Sequence, residues 1–128
     1  MPKASQQPIT FTATPKFQKD FKKLYKRFRT LKADLGIVKL VIAKYPTGED
    51  SRHAHILKTN PDRTIFLIKR RLVSRSTKHS DFRIIYIYHK LQNTVTFIEI
   101  YFKGTQPNHN YQRAEDAWKE VTRNESEG

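Results

Sequence analysis

Two strand-like runs in the second half of the chain hold most of the residues that can do chemistry. In the run from Ile65 to Arg75, alternate residues share a face. Phe66, Ile68, Arg70 and Leu72 fall on one side; Ile65, Leu67, Lys69, Arg71, Val73 and Arg75 fall on the other, which turns basic along its length. In the next run Arg83 is opposite in parity to Phe82, Ile84, Tyr86 and Tyr88. In the last run alternation points Ile98, Ile100 and Phe102 at the core and Phe97, Glu99, Tyr101 and Lys103 away from it. One sheet face is therefore expected to gather Lys69, Arg71, Arg75, Arg83, Glu99, Tyr101 and Lys103. Cations mixed with an aromatic ring and one carboxylate on a rigid sheet suit a bent phosphodiester with an unstacked base. Composition alone favours a plainer reading, a solvated basic face.

The elements that must position these residues follow from periodicity. Ile9-Thr10-Phe11-Thr12 alternates as a first strand. Thr14-Pro15 reads as an N-cap followed by proline at the first helical position. Phe17, Phe21, Leu24, Tyr25 and Phe28 then form one apolar stripe, with lysines filling the rest of the helix. Thr30 opens a second helix through Leu31, Leu35, Val38, Val41, Ile42 and Tyr45, weakened at Gly36 and ended by Tyr45-Pro46-Thr47-Gly48. The short connection predicts an antiparallel helix hairpin. Residues 46–63 read as a loop, with room for a short strand at His55-Ile56-Leu57. Leu91-Gln92-Asn93 turns the Phe82–Tyr88 run into the Val95–Phe102 run as an antiparallel hairpin. Asn110 caps a final helix to about Thr122, striped by Ala114, Ala117, Trp118 and Val121. The expected fold is α+β in the order β-α-α-β-β-β-α, a helix hairpin packed on a mainly antiparallel twisted sheet. It is read as one domain over residues 1–128, with a loose arm at 1–8 and a polar tail at 124–128.

Composition narrows the function. Lys and Arg number 25 against 12 Asp and Glu, a net charge of +13 in 128 residues, which asks for an acidic partner. The absence of cysteine excludes a disulfide scaffold, a zinc finger, an iron–sulfur site and a thiol nucleophile, and fits a cytoplasmic setting. No apolar stretch is long enough to span a membrane, and the start lacks the apolar segment of a secretory signal. His53 and His55 stand without a carboxylate pattern, so no metal site and no cofactor is expected. The lysines of the first helix read as a solvated or phosphate-steering face.

The segment Asp81-Phe82-Arg83-Ile84-Ile85-Tyr86-Ile87-Tyr88, followed after a turn by Phe97-Ile98-Glu99-Ile100-Tyr101-Phe102-Lys103, resembles the core hairpin of the RelE/ParE superfamily of type II toxin–antitoxin toxins, on its RelE and HigB side. Thr14-Pro15-Lys16-Phe17 to Lys23 is similar to the family's opening helix, and the resemblance covers roughly residues 9–120. It implies a small toxin with a concave basic face, a metal-independent endoribonuclease that cuts mRNA on the ribosome and is neutralised by a cognate acidic antitoxin. The ribose 2′-hydroxyl attacks the adjacent phosphorus, so the protein must supply a base, an acid and cations. The family's functional positions fall on Lys69 and Arg71, on Arg83, and on Tyr111. Its late arginine falls near Thr105, a departure; either Lys103 substitutes or the site lacks that cation. His109 is an acid or base by analogy with relatives that use a late histidine, and Lys69 is a base once neighbouring cations lower its pKa. Arg75, Lys78, Lys103 and Tyr101 are the expected RNA contacts. Two other readings stand beside this one: a ParE-like, non-enzymatic poison of DNA gyrase, and a plain RNA-binding module.

Overall fold

The amide of Phe17 donates to the Thr14 hydroxyl at 3.2 Å, and Pro15 takes the first helical position, where no amide partner is lost. This pair starts α1 (Pro15–Arg27), whose last turn carries Lys26 and Arg27 against the negative end of the helix dipole. The computed structural model describes residues 8–49, 51–77 and 79–127. The short connection after α1 leads into α2 (Leu31–Lys44). Thr30 does not cap α2 with its side chain as expected. Its hydroxyl instead donates to the Asp34 carboxylate at 2.8 Å and lies 2.6 Å from the Ser76 hydroxyl, binding the helix start to a loop of the sheet.

The sheet has five strands in the order β1-β5-β4-β3-β2. They are β1 (Thr10–Ala13), β2 (Ala54–Thr59), β3 (Ile65–Ser74), β4 (His79–His89) and β5 (Thr94–Phe102). β1 runs parallel to β5; the other neighbours are antiparallel. The observed fold is the α+β helix hairpin and mainly antiparallel sheet that the sequence implied, with one strand more than the expected order counts. That strand is β2, a full edge strand. The turn before β3 is built by Asn60, whose side-chain oxygen accepts from the amides of Thr64 and Ile65 at 2.8 and 3.0 Å. Gly48 holds φ at +81° just upstream of β2, and a Cβ there would meet that of Ala54 at 2.5 Å.

Two apolar layers flank the sheet. On one face Phe66, Ile68, Leu72, Phe82, Ile84, Tyr86, Phe97 and Ile100 pack against Phe17, Phe28, Leu31, Leu35, Val38 and Ile42 of the helix pair and its connection. On the other, Ile65, Leu67, Ile85, Ile87 and Ile98 pack against Ala114 and Trp118 of α3 (Tyr111–Glu127). Removing each such side chain from water contributes about 1.5–3 kcal/mol. The expected parity of β5 needs correction at this point. The register shifts where Ile85 and Tyr86 of β4 face Glu99 and Phe97, leaving Ile98 as an extra residue in β5. Phe97 therefore faces the helix pair, stacked on Phe17 at 5.2 Å between ring centres, while Ile98 faces α3. Because the bulge resets the alternation, Glu99 and Tyr101 stay on the side of α3, as expected. Among the described residues no helix is long and apolar enough to cross a membrane.

Candidate active site

α3 covers the half of its face that holds Ile65, Leu67, Ile85 and Ile87. The other half is crossed by two neighbouring rungs of the sheet. Arg71 of β3 stands directly opposite Arg83 of β4, and Arg83 opposite Tyr101 of β5. Two residues along, at the next rung of the same face, His55 of β2 pairs with Lys69, Lys69 with Ile85, and Ile85 with Glu99. An open cleft of about 310 Å³ lies over these rungs, lined by His53, His55, Leu57, Lys69, Arg71 and Arg83. Among the expected catalytic positions, Lys69, Arg71 and Arg83 thus share one cleft.

Tyr101 and the loop after β5 close the far side. The Lys69 ammonium sits 5.8 Å from the centre of the Tyr101 ring. Glu99, 4% exposed, accepts from the Gln106 side chain at 2.7 Å and from the Asn110 amide at 2.8 Å. This buried carboxylate ties the loop to the sheet. The Asn110 side-chain oxygen accepts from the Arg113 amide at 3.0 Å and starts α3 as expected. Arg113 then reaches across to Asp20 of α1 and to the carbonyl of the bulge residue Ile98. Held this way, His109 and Tyr111 meet edge to face with ring centres 4.4 Å apart. His109 is 9% exposed and Tyr111 64% exposed, so Tyr111 is the one open to a substrate. The Tyr101 hydroxyl and the His109 Nδ1 are buried without a hydrogen-bond partner.

The electrostatics follow from this crowding. Burial, and then the neighbouring Arg71 guanidinium, lower the pKa of Arg83, with Tyr101 and Asp81 opposing; an arginine so placed stays charged. Burial pushes the Tyr101 phenol up against the pull of Arg83, so it stays neutral. Burial and the Lys69 ammonium hold the His109 imidazole below the ordinary histidine range despite Glu99, so at neutral pH it is uncharged.

Other expected contacts are not brought to the cleft. The register of β3 and β4 shifts between Leu72 and Ser74, which ends the alternation. Arg75 turns to the opposite side, where its Nε lies 3.4 Å from Asp34 at the start of α2. Lys103 lies exposed in the turn after β5, its amide donating to the Asp81 carbonyl at 2.8 Å, and it does not line the cleft. Lys78 lies outside the described residues. The sequence reading set aside His53 and His55 because it weighed them only as metal ligands. Their spacing with Leu57 at alternate positions was the available signal that all three line one cleft.

No family model and no curated protein matches the sequence. Among solved structures, the chain is similar to the solution structure of conserved hypothetical protein HP0892 from Helicobacter pylori, at 22% identity and a TM-score of 0.50, covering 75% of this chain and 96% of that one. It shares that fold. The archaeal RelE–RelB complex from Pyrococcus horikoshii OT3 contains a chain 14% identical, with a TM-score of 0.49, over 77% of this chain and 98% of that one.

Proposed function

We propose that the chain is the toxin of a type II toxin–antitoxin system, a ribosome-dependent mRNA endoribonuclease that cleaves by attack of a ribose 2′-hydroxyl. The observation that carries this reading is the placement of Arg71 directly opposite Arg83, with Lys69 one rung away, in an open cleft. Like charges directly opposite across strands are destabilising. An anionic substrate offsets that repulsion, and a phosphate bridging the pair takes charge-assisted hydrogen bonds from both guanidinium groups.

The chemistry asks for a base, an acid and cations. The 2′-oxygen forms a bond to phosphorus while the bond to the 5′-oxygen breaks. The proton of the 2′-hydroxyl passes to a base, and the leaving 5′-oxygen takes one from an acid. Arg71 and Lys69 hold the scissile phosphate, and Arg83 meets the charge that develops at phosphorus. Tyr111, exposed and in ring contact with His109, moves a proton. The partner that silences the site is an acidic antitoxin segment, attracted by the +13 charge of the chain.

The test is expression of the free toxin in growing cells, followed by mapping of transcripts and of gyrase–DNA adducts. Growth arrest with cut transcripts ending in 2′,3′-cyclic phosphate, and cleavage in vitro unaffected by EDTA beyond what ribosomes themselves require, is the expected result. Arrest with intact transcripts and accumulated gyrase–DNA complexes contradicts the reading and favours a ParE-like poison.

A further inference from the structure

The cations of the cleft account for a phosphate, but an RNA strand bent over them must also put its bases somewhere. The two flanks of the cleft differ in what they offer. Toward β5 the floor is closed: Tyr101 is 2% exposed, and the Lys69 ammonium covers its ring. Tyr101, expected as an RNA contact, is therefore buried and has no free ring face to offer a base. Toward β2 the cleft is open. β2 is an edge strand of the sheet, and its His55 and Leu57, with His53 just before it, line the cleft. All three are exposed.

We propose that His53, His55 and Leu57 form a nucleobase subsite beside the phosphate-binding cations. The inference rests on the RNA-cleaving reading above and gives it a place for base recognition. His55 pairs with Lys69 across the strands, and the carbonyl of His53 accepts the Arg71 amide at 3.1 Å, so each histidine is one strand away from a phosphate-binding cation. Planar imidazole rings stack on unstacked bases, and they also carry ring nitrogens that hydrogen-bond to base edges. Leu57 sits where the register of β2 slips between Ile56 and Lys58, which leaves an apolar side chain at the rim of a cationic cleft. A solvated edge strand carries charged residues toward water. Here the cleft-facing positions are two imidazoles and a leucine, the composition of a base platform. The 310 Å³ of the cleft lies at the small end of ligand sites and suits one nucleotide.

The test uses the full-length protein and two fluorescein-labelled single-stranded tetranucleotides of equal phosphate count. Both carry a 2′-deoxyribose at each position to prevent cleavage; one has all its bases and the other is abasic. Base stacking predicts that wild-type protein binds the base-containing strand roughly 5- to 150-fold more tightly per stacked base. The double variant His53→Ala/His55→Ala should lose most of that ratio while its affinity for the abasic strand holds. His55→Phe, which keeps a planar ring, should restore part of it. A ratio unchanged in the double variant overturns the proposal, as does equal affinity of the wild type for both strands. A ratio that survives in the double variant but collapses in Tyr111→Ala places the base at the other flank and also overturns it. Failure of cleavage on ribosomes with an intact histidine-dependent ratio would instead refute the RNA-cleaving reading alone.

Discussion

Arg71 and Arg83 stand directly opposite each other on β3 and β4, and burial and mutual repulsion both press on Arg83. A cross-strand pair of like charges opposes folding by an amount comparable to the ~0.2–1 kcal/mol of a favourable pair. Retaining it makes sense where the two cations are wanted for an anion. Arg83→Ala should therefore separate stability from activity. Cleavage should fall about 10²–10³-fold, the usual cost of one charge-stabilising donor. The melting temperature should hold or rise. A variant that cuts at the wild-type rate removes Arg83 from the mechanism.

Tyr111 and His109 touch, yet only Tyr111 is open to a substrate. Tyr111→Phe should cost about 10²–10⁴-fold in single-turnover cleavage if the phenol transfers the proton. His109→Phe, which keeps a ring against Tyr111, should cost far less. The opposite order would assign the proton to His109.

His109 titrates lower in the fold than in the unfolded chain, because burial and Lys69 disfavour its charged form. Between the two pKa values the unfolded chain binds the extra proton, so stability rises with pH there. The contribution is fully present above about pH 6.5 and is lost as the pH falls below it, by at most about 1.4 kcal/mol per pH unit. Urea midpoints at pH 7.5 and pH 5.5 should differ less in His109→Phe than in wild type. Equal differences would show that His109 does not titrate as its surroundings require.

Asp34 is 3% exposed and accepts from the Thr30 hydroxyl and from Arg75. Asp34→Ala should destabilise the fold by about 1–3 kcal/mol through the groups it leaves unpaired, as read by urea denaturation. Arg75→Ala should cost less than 1 kcal/mol, because its guanidinium is mostly solvated. Its cleavage rate should stay near wild type, since Arg75 lies across the sheet from the cleft. A large loss of cleavage in Arg75→Ala would place that arginine on the substrate after all.

Much of this was legible in the sequence where one physical rule governs alone. The stripe from Phe17 to Phe28, the Thr14-Pro15 start and the Asn110 cap are local signals, and the structure carries each of them. Parity correctly put Lys69, Arg71 and Arg83 on one face, since no bulge falls between Ile65 and Leu72. It failed for Phe97 and Ile98 and for Arg75, each beside a register shift that no local residue pattern announces. Thr30 stands at the N-cap of α2 as read, but its hydroxyl makes no cap hydrogen bond because Asp34 and, across the fold, Ser76 engage it. β2 was undercounted because as an edge strand it is largely exposed and lacks a buried, alternating face. With it went the one observation that brings His53 and His55 to the cleft.

The central claim is that this cleft cuts messenger RNA on the ribosome. The most direct measurement is primer extension on a defined mRNA after adding the purified chain to programmed, translating ribosomes, with Arg83→Ala in parallel. The account predicts new stops at fixed positions within codons that depend on ribosomes and largely vanish with Arg83→Ala. Intact mRNA under those conditions, or cuts that appear equally with and without ribosomes, would contradict it.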